Sequence, residues 1–391
     1  MRLPSFAAPA VLCIGLALSA TGCGGHSRRL RTDSGGLSIY TSLPFEGPYA
    51  SQAQAIYDAE RLAWAQTGGV VDGYKVVLRR LDDAGSSAGS TTTQVALNAR
   101  IAAGDPSTIA YIGDLTPGSS VGSIRILSGK GILQVSPGDT ATRLTGKTFA
   151  RVVPPDSDEA EAELAAAGSR SVKTVYLVRD RTTYGRDIAA AVRNDASSYG
   201  IDVVNARDRY LAPDSRALVR EIRKSKADAL IYAGSPGSPV AAFWNALSTA
   251  DGTIKKFASA TIAVTPSWAQ TTAAARYNTF LGAPGLLHGA LPRAGSQFET
   301  DFLATYGSRV SWESGIFGYV AMSGVLEALQ SLGARAQDPR ANIVKAFLHI
   351  RDLPSALGTY SIVDGHTSFQ GYYFTTYNRS GAPTTVVPGL A

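Results

Sequence analysis

The sequence predicts an α/β protein built on parallel sheets whose two faces are both covered by helices. Three observations predict this fold class. From Leu37 onward, short runs rich in β-branched residues alternate with amphipathic helical stretches. Several of these runs are apolar throughout, as expected of strands buried on both faces. Glycines that end helices, Gly68-Gly69 and Gly200, precede the next strand. Because βαβ units are right-handed, such a chain forms doubly wound sheets.

The strand candidates share a short length and an apolar, β-branched composition. In chain order they are Leu37–Thr41, Tyr74–Leu81, Thr108–Ile112, Ile132–Val135, Thr174–Val178, Ile201–Val204 and Leu230–Ala233, with a closing β segment at Phe369–Tyr377. The predicted helices lie at 50–66, at 187–199, from Pro213 onward and at 312–333. The last of them places Met322, Val325 and Leu329 on one stripe.

The length of the chain requires more than one domain. Of its 391 residues, 45% are apolar, which is ample for buried cores and unlike a disordered chain. One doubly wound sheet does not comfortably hold about 350 residues. A break at Pro154-Pro155, followed by acidic residues typical of a helix start, predicts that a second lobe begins there.

The positive charge of the chain is concentrated at its beginning. The formal net charge is +6, but four arginines and a single acid lie in the first 36 residues. Residues 37–391 carry 33 basic and 30 acidic side chains. This balance is too even for a nucleic-acid-binding protein, so no nucleic-acid partner is expected.

Residues 1–22 have the pattern of a secretory signal peptide. Arg2 opens a short cationic region, and the apolar run Phe6–Leu18 is shorter than the ~20 residues of a permanent membrane span. The residues Ala20-Thr21-Gly22-Cys23 resemble the bacterial lipobox, which implies cleavage before Cys23 and a diacylglycerol on its thiol. On this reading, residues 23–36 are a lipidated, Gly-rich tether that holds the protein outside the cytoplasmic membrane. The alternative is an ordinary secreted protein with an incidental cysteine.

The loops that follow the predicted strands are the candidate binding surface. Ligands of open parallel sheets bind outside the carboxyl ends of the strands. The loops in question are rich in small hydroxyl side chains, backbone N–H groups and aromatic residues; they are 42–49, 113–120, 136–140, 180–185 and 234–238. Such groups can hold a small polar solute without any reactive centre, so the sequence predicts a binding protein and not an enzyme.

An enzymatic alternative rests on one short motif. Gly118-Ser119-Ser120-Val121-Gly122 matches the G-x-S-x-G pattern of hydrolases with Ser120 as nucleophile, although about seven residues separate it from the preceding strand. The histidines are scattered without metal-ligand spacing: His26, His288, His349 and His366. No phosphate- or dinucleotide-binding motif occurs, so no cofactor or metal is expected. We interpret Asp82-Asp83 as a cap of the next helix, with a metal-binding pair as the alternative.

Many weak motifs occur in an order that resembles one known family. They are the 113–140 run, the 181–185 segment with its Tyr-Gly pair, the 49–69 helix ending in Gly-Gly, the Asp82-Asp83 turn, Ser136-Pro137-Gly138 and the terminal β segment. Over residues 37–391 the chain resembles the branched-chain amino-acid-binding type of periplasmic solute-binding proteins, which serve ABC importers. The resemblance implies two Rossmann-like lobes joined by three crossovers, with the ligand between them. One lobe would hold 37–153 with 292–355, and the other 154–291 with 356–391.

The resemblance also implies partners and a mode of action. A small-molecule solute would bind in the cleft as the lobes close, and an ABC permease with its ATPase would receive it. The protein would act as a monomer on the outer face of the membrane. A sensor built from the same pair of lobes is an alternative that the residues leave open.

The ligand-contacting positions of the family fall on particular residues of this chain. Thr116, Gly138 and Thr140 match positions that hold the main chain of the ligand, and Tyr184 matches an aromatic residue of the opposite lobe. The complete set that the resemblance implies is Gln52, Thr116, Pro117, Gly138, Asp139, Thr140, Tyr184, Pro236 and Thr261.

Three of these positions differ from those of the amino-acid binders. Pro117 stands where they carry a carboxylate-binding serine, Pro236 where they carry a tyrosine, and Thr261 where they carry the acid that pairs with the ammonium group. A buried ammonium needs a carboxylate or several acceptors. The nearby acids that could replace the missing one are Asp114, Asp139 and Glu46. We therefore expect weak binding of leucine, isoleucine and valine, and a preference for an amide, a carboxylate without an α-amine or a cationic metabolite.

Overall fold

The computed structural model describes residues 36–388 apart from 86–88, 236–237, 265, 309–310 and 335–336. The signal peptide, Cys23 and the tether up to residue 35 lie outside the described residues. Within the described part, the chain forms two α/β lobes, each a mainly parallel sheet between two layers of helices. No helix among these residues has the length and apolar character needed to cross a membrane.

The elements alternate along the chain as βαβ units predict. The strands are β1 (Leu37–Leu43), β2 (Val70–Val71), β3 (Tyr74–Asp82), β4 (Ala84–Gly85), β5 (Gly89–Ser90), β6 (Thr108–Ile112), β7 (Leu133–Ser136), β8 (Phe149–Arg151), β9 (Thr174–Arg179), β10 (Asp202–Val203), β11 (Ala229–Ala233), β12 (Lys255–Ser259), β13 (Thr279–Pro284), β14 (Leu353–Ser355), β15 (Gly358–Tyr360), β16 (Ile362–Val363), β17 (His366–Thr367), β18 (Tyr372–Tyr377) and β19 (Pro383–Pro388). The helices are α1 (Ala50–Gln66), α2 (Thr92–Gly104), α3 (Val121–Ser128), α4 (Asp156–Gly168), α5 (Thr183–Asp195), α6 (Arg216–Ser225), α7 (Ser238–Ala250), α8 (Ala273–Arg276), α9 (Arg293–Tyr306), α10 (Trp312–Gln330) and α11 (Pro339–Leu348).

Each lobe contains one large sheet. The first has the order β16-β17-β8-β7-β6-β1-β3-β2, and its pairing is parallel from β17 to β3. The second has the order β10-β9-β11-β12-β13-β18-β19, and its pairing is parallel from β10 to β13. Strands β1, β6 and β11 are buried along their whole length. This is the burial expected where helices cover both faces of a parallel sheet.

The cores lie between the sheets and their helix layers. In lobe 1, α1, α10 and α11 bury Phe317, Met322 and Phe347 against one face, and α2 and α3 pack on the other face around Tyr111. In lobe 2, α4 and α5 cover one face, while α6 and α7 bury Trp244 on the other. The α/β class with doubly wound, mainly parallel sheets, predicted from the sequence, is confirmed.

A close contact between two helices fixes one side of the space between the lobes. A Cβ atom added to Gly315 of α10 would lie 2.8 Å from the carbonyl oxygen of Ala55 in α1. Only glycine permits this approach, since real side chains do not tolerate so short a distance. The first turns of α1 and α10 both line the interlobe space, so this contact sets the relative position of Gln52 and Phe317.

The chain crosses between the lobes three times, from β8 to α4, from β13 to α9 and from β17 to β18. The last crossing differs from the sequence expectation. Residues 356–391 were expected in lobe 2, but β16 and β17 join the first sheet beside β8. The backbone N–H of Arg151 also donates to the carbonyl of Gly365 at 2.9 Å. The segment up to Thr367 therefore belongs to lobe 1, and only the following strands belong to lobe 2.

Most predicted elements are present, with ends that differ by a few residues. The strand at Thr108–Ile112 is confirmed, while β1 extends two residues beyond its predicted end at Thr41. The helix predicted from residue 187 begins at Thr183, and the closing β segment begins at Tyr372 rather than Phe369. Strands β8, β12 and β13 were missed, because two of them carry basic residues that look exposed in the sequence.

Candidate ligand-binding site

A cavity of about 840 Å³ lies between the lobes, at the carboxyl ends of the parallel strands of both sheets. Its lobe 1 wall comes from the loops after β1, β6 and β7 and from the starts of α1 and α10. Its lobe 2 wall comes from α4, α5, the loops after β11 and β12 and the antiparallel pair β13 and β18. The predicted position of the site, at the strand-end loops, agrees with this geometry.

The buried carboxylate of Asp139 fixes the lobe 1 wall. It accepts hydrogen bonds from the backbone N–H groups of Gly118 at 2.6 Å, Ser120 at 2.8 Å and Ala141 at 3.3 Å. The side chain is 0% exposed, and the loops after β6 and β7 are thereby tied together. Asp139 was expected as a ligand-binding acid; it does not line the cavity, and its oxygens serve the protein's own amides.

Asp114 does not line the cavity either. Its carboxyl is fully buried and accepts hydrogen bonds from the hydroxyls of Tyr111 at 2.9 Å and Ser123 at 2.6 Å. Burial, reinforced by the charge of Asp83, raises the pKa of Asp114 to about 8. Glu46, the third acid considered, is exposed and does not line the cavity. None of the three therefore supplies a charge to the site.

A buried arginine supports the same wall from behind. Arg151 in β8 donates from its guanidinium to the carbonyl oxygens of Asp139 at 3.3 Å, Ala141 at 2.7 Å and Thr142 at 3.1 Å. Its Nε also donates to Nδ1 of His366 at 2.8 Å. Burial and the nearby guanidinium lower the pKa of His366 to about 4, so the ring is a neutral acceptor at physiological pH. The loop that carries Thr140 is thus held by charged hydrogen bonds.

The lobe 2 wall contains a buried acid at the start of α4. Acidic residues favour the first turn of a helix, where the helix dipole is positive. Glu159 is 4% exposed, and its Oε1 accepts a hydrogen bond from the hydroxyl of Tyr184 at 3.0 Å. Burial raises the pKa of Glu159 to about 7, although hydrogen bonds from Tyr184 and Ser259 oppose the shift. The sequence identified Glu159 only as part of a helix start.

Tyr184 is positioned by the first turn of α5. The hydroxyl of Thr182 accepts a hydrogen bond from the N–H of Gly185 at 3.0 Å and so caps the helix. A Cβ on Gly185 would lie 2.7 Å from the carbonyl oxygen of Ala233, so glycine is needed for α5 to start this close to the end of β11. This placement brings Tyr184 into the cavity wall beside Glu159.

Aromatic side chains and a second acid complete the lining. The aromatic residues that line the cavity are Phe45, Tyr49, Tyr184, Phe317, Tyr372 and Tyr373. Glu313, in the first turn of α10, is exposed and accepts a hydrogen bond from the Ser311 hydroxyl at 2.8 Å. Burial of Tyr373 raises its pKa to about 12, and the charge of Glu313 adds to this shift. Glu313 and the tyrosines of β18 were not among the predicted site residues, since neither follows a parallel strand.

The structure brings together six of the nine predicted site residues. Those that line the cavity are Gln52, Pro117, Gly138, Thr140, Tyr184 and Thr261. Thr116 does not line it: the residue is buried, and its carbonyl accepts a hydrogen bond from the Ser119 hydroxyl at 2.6 Å. Asp139 is taken up by the loop amides, as described above. Pro236 lies outside the described residues, next to Ser235, which does line the cavity.

The alternatives drawn from short motifs do not agree with the geometry. Ser120 is 0% exposed and opens α3, and its Oγ accepts a hydrogen bond from the Asp114 N–H at 3.4 Å. The expected helix cap at Asp82-Asp83 is also wrong, because Thr91 caps α2 through the N–H of Gln94. Asp82 instead accepts hydrogen bonds from nearby loop amides. Across the described residues, no group of three or more histidine, cysteine or acidic residues could hold a metal ion.

Two lobes joined by three crossings around a polar cleft define the class of two-lobed binding proteins. A sequence model of the periplasmic binding protein family matches residues 41–382, so the chain belongs to that family. One curated relative, the Leu/Ile/Val-binding protein BraC3 of Rhizobium johnstonii, is 28% identical over 206 residues, or 51% of this chain and 54% of that protein. The chain therefore matches about half the length of this relative.

Solved structures share the fold over most of the chain. LivJ of Streptococcus pneumoniae, a branched-chain amino acid transporter substrate-binding protein in complex with isoleucine, has a TM-score of 0.75 at 17% identity, covering 90% of this chain and 99% of that one. A solute-binding protein of an ABC transporter from R. palustris, in complex with benzoate, has a TM-score of 0.72 at 17% identity, covering 91% and 98%. The predicted type I periplasmic binding protein fold is confirmed.

Family membership settles the broad class of activity. The chain is a periplasmic binding protein, a member of a family of non-enzymatic binding proteins located outside the cytoplasm. The hydrolase alternative based on Ser120 is therefore wrong, in agreement with the burial of that side chain.

Proposed function

We propose that this chain is the lipid-anchored solute-binding component of an ABC importer. It would capture a small polar solute outside the cytoplasmic membrane and deliver it, as a monomer, to a permease and its ATPase. The lipobox at Cys23 supports the anchor, since a diacylglycerol supplies the two acyl chains needed for stable attachment. The proposal follows the family and adds the anchor and the importer partners to it.

One observation carries the proposal: both lobes contribute to the cavity, and the described residues that line it are polar and aromatic groups suited to holding a solute. Tyr184 and Thr261 of lobe 2 face the same space as Thr140 and Gln52 of lobe 1. A solute that contacts both walls stabilises the closed arrangement of the lobes, because it binds that state better than the open one. Binding by closure requires no chemical step.

The residues we propose as ligand contacts are those that line the cavity and were implied by the resemblance. They are Gln52, Pro117, Gly138, Thr140, Tyr184 and Thr261, with Pro236 beyond the described residues. Relatives and structural neighbours include proteins named for leucine, isoleucine and valine or solved with benzoate. Binding of branched-chain amino acids by this chain is expected to be weak, because Pro117 has no N–H to donate and Thr261 has no charge.

A solute panel tests the proposal. Thermal unfolding of the purified mature chain is measured with amino acids, amides, amines, carboxylates and aromatic acids, each at millimolar concentration. A solute present at a hundredfold excess over its Kd should add about 2.7 kcal/mol to the free energy of unfolding. Mass spectrometry of the recovered solute should show it unchanged. The absence of a response to every class, or conversion of the bound compound, would refute the proposal.

A further inference from the structure

The charges that line the cavity are all of one sign. Among the described lining residues, the only acidic or basic side chains are those of Glu159 and Glu313, and no lysine, arginine or histidine is present. The remaining lining groups are hydroxyls, amides, prolines, aromatic rings, small aliphatic side chains and glycines. A low-dielectric cleft with this composition attracts a cation and repels an anion.

In the loop after β6, the backbone donors that could hold a carboxylate are already used. Asp139 of the chain itself accepts from the amides of Gly118, Ser120 and Ala141, so an internal carboxylate takes the place that a ligand carboxylate would need. Pro117, at the front of the same loop, has no N–H group to offer. A ligand carboxylate placed here would lose its hydration without gaining charged hydrogen bonds, which is costly.

The opposite wall has acceptors without a cation. Glu159 neighbours Glu163, whose Oε2 is buried and accepts no hydrogen bond. Arg151 of lobe 1 interacts with the charges of Asp156 and Asp158 in the first turn of α4, but its guanidinium is already directed to backbone carbonyls. Glu159 thus has hydrogen bonds from Tyr184 and Ser259 but no positive partner.

A tyrosine gives an independent sign that a ligand belongs here. Tyr372 lines the cavity, is 3% exposed, and its hydroxyl oxygen has no hydrogen-bond partner. Buried hydroxyls normally have a partner, so this unpaired one leaves unused hydrogen-bonding capacity in the cavity wall. Burial and the charge of Glu159 raise the pKa of Tyr372, so the phenol remains neutral.

We propose that the solute is an organic cation without a carboxylate, whose protonated nitrogen is held by Glu159 and the hydroxyl of Tyr372. The apolar part of the solute would lie against Tyr49, Phe317 and Tyr373, whose rings line the same cavity. Aromatic faces also attract the positive charge of an ammonium group. This inference rests on the proposed solute-binding function and narrows it to one class of ligand.

Matched probes with a common carbon skeleton test the inference. Isothermal titration of the mature chain is carried out with two series: tyramine, tyrosine and 3-(4-hydroxyphenyl)propionate, and isopentylamine, leucine and 4-methylpentanoate. An amine should bind at least tenfold more tightly than the amino acid and the carboxylate of its series. Glu159→Gln should weaken that binding at least tenfold. Glu161→Gln, at an exposed position of the same helix, should leave it unchanged.

The outcomes separate this inference from the function on which it rests. Tighter binding of an amino acid or a carboxylate overturns the cation assignment and leaves the solute-binding function intact. Binding of an amine that is insensitive to Glu159→Gln overturns the assignment of Glu159. If neither amine binds, the cation assignment is wrong, and the broader solute panel decides whether the binding function stands.

Discussion

Replacing Glu159 by glutamine should stabilise the ligand-free protein at alkaline pH. The folded-state pKa of this carboxyl is raised by burial to about 7, against an ordinary value of 4.5. The folded state therefore holds its proton more tightly than the unfolded state does, and stability falls as the pH rises from 4.5 to 7. Above that range the ionised carboxylate costs about 3 kcal/mol, at roughly 1.4 kcal/mol for each unit of pKa shift. Glutamine avoids this cost while its amide oxygen still accepts from Tyr184.

Thermal unfolding at two pH values measures the effect. At pH 8.5, Glu159→Gln should raise the Tm by roughly 6–12 °C, since 1 kcal/mol corresponds to about 2–4 °C for a domain the size of one lobe. At pH 4 the difference should nearly vanish, because the wild-type carboxyl is then mostly protonated in both the folded and the unfolded state. Glu161→Gln serves as the control and should change neither value. A destabilised Glu159→Gln variant at pH 8.5, or a difference independent of pH, would refute the reasoning.

Three further outcomes are expected. Asp139→Asn should lower the free energy of unfolding in urea by about 2–4 kcal/mol, because it removes charged hydrogen bonds to three backbone amides; an unchanged midpoint would show that those bonds do not hold the loops. Cys23→Ser should release the protein from the membrane fraction to the soluble fraction, and a membrane-bound variant would place the anchor elsewhere. Small-angle scattering should show a smaller radius of gyration when a stabilising solute is added, whereas an unchanged radius would argue against lobe closure.

The sequence predicts the fold well where the strands are apolar and fails where they contain buried charge. Strands such as β6 and β11 are continuous apolar runs, so their pattern alone identifies them. Strand β8 ends in Arg151 and β12 contains Lys256, and both side chains are fully buried. Lys256 donates to the carbonyls of Ile254 and Tyr277, and Arg151 donates to three carbonyls. A periodicity argument cannot distinguish such satisfied cations from solvent-exposed ones.

The candidate site also contains features that the sequence predicts and features that it does not. The rule that ligands bind at strand ends predicts the lobe 1 loops and Tyr184 as candidates, and these residues line the cavity, because the rule depends only on topology. The roles of individual acids depended on tertiary contacts. Asp114 and Asp139 look available in the sequence but are used internally, whereas Glu159 looks like a helix start and lines the cavity. Some of the deciding hydrogen bonds join residues far apart in the chain: Gly118 and Asp139 are 21 residues apart, and Glu159 and Tyr184 are 25 apart.

The central claim is that the solute binds in the cavity between the lobes. The most direct test compares solute binding by the wild-type chain with binding by a variant in which a bulky side chain fills the cavity. Ser51 is exposed at the start of α1 and lines the cavity, so Ser51→Trp adds bulk there without disturbing a core. A solute that stabilises the wild-type chain should bind Ser51→Ala with similar affinity and should bind Ser51→Trp at least tenfold more weakly, with the thermal stability of both ligand-free variants unchanged. Equal affinity for Ser51→Trp and the wild type would show that solutes bind outside the cleft between the lobes, which contradicts the account.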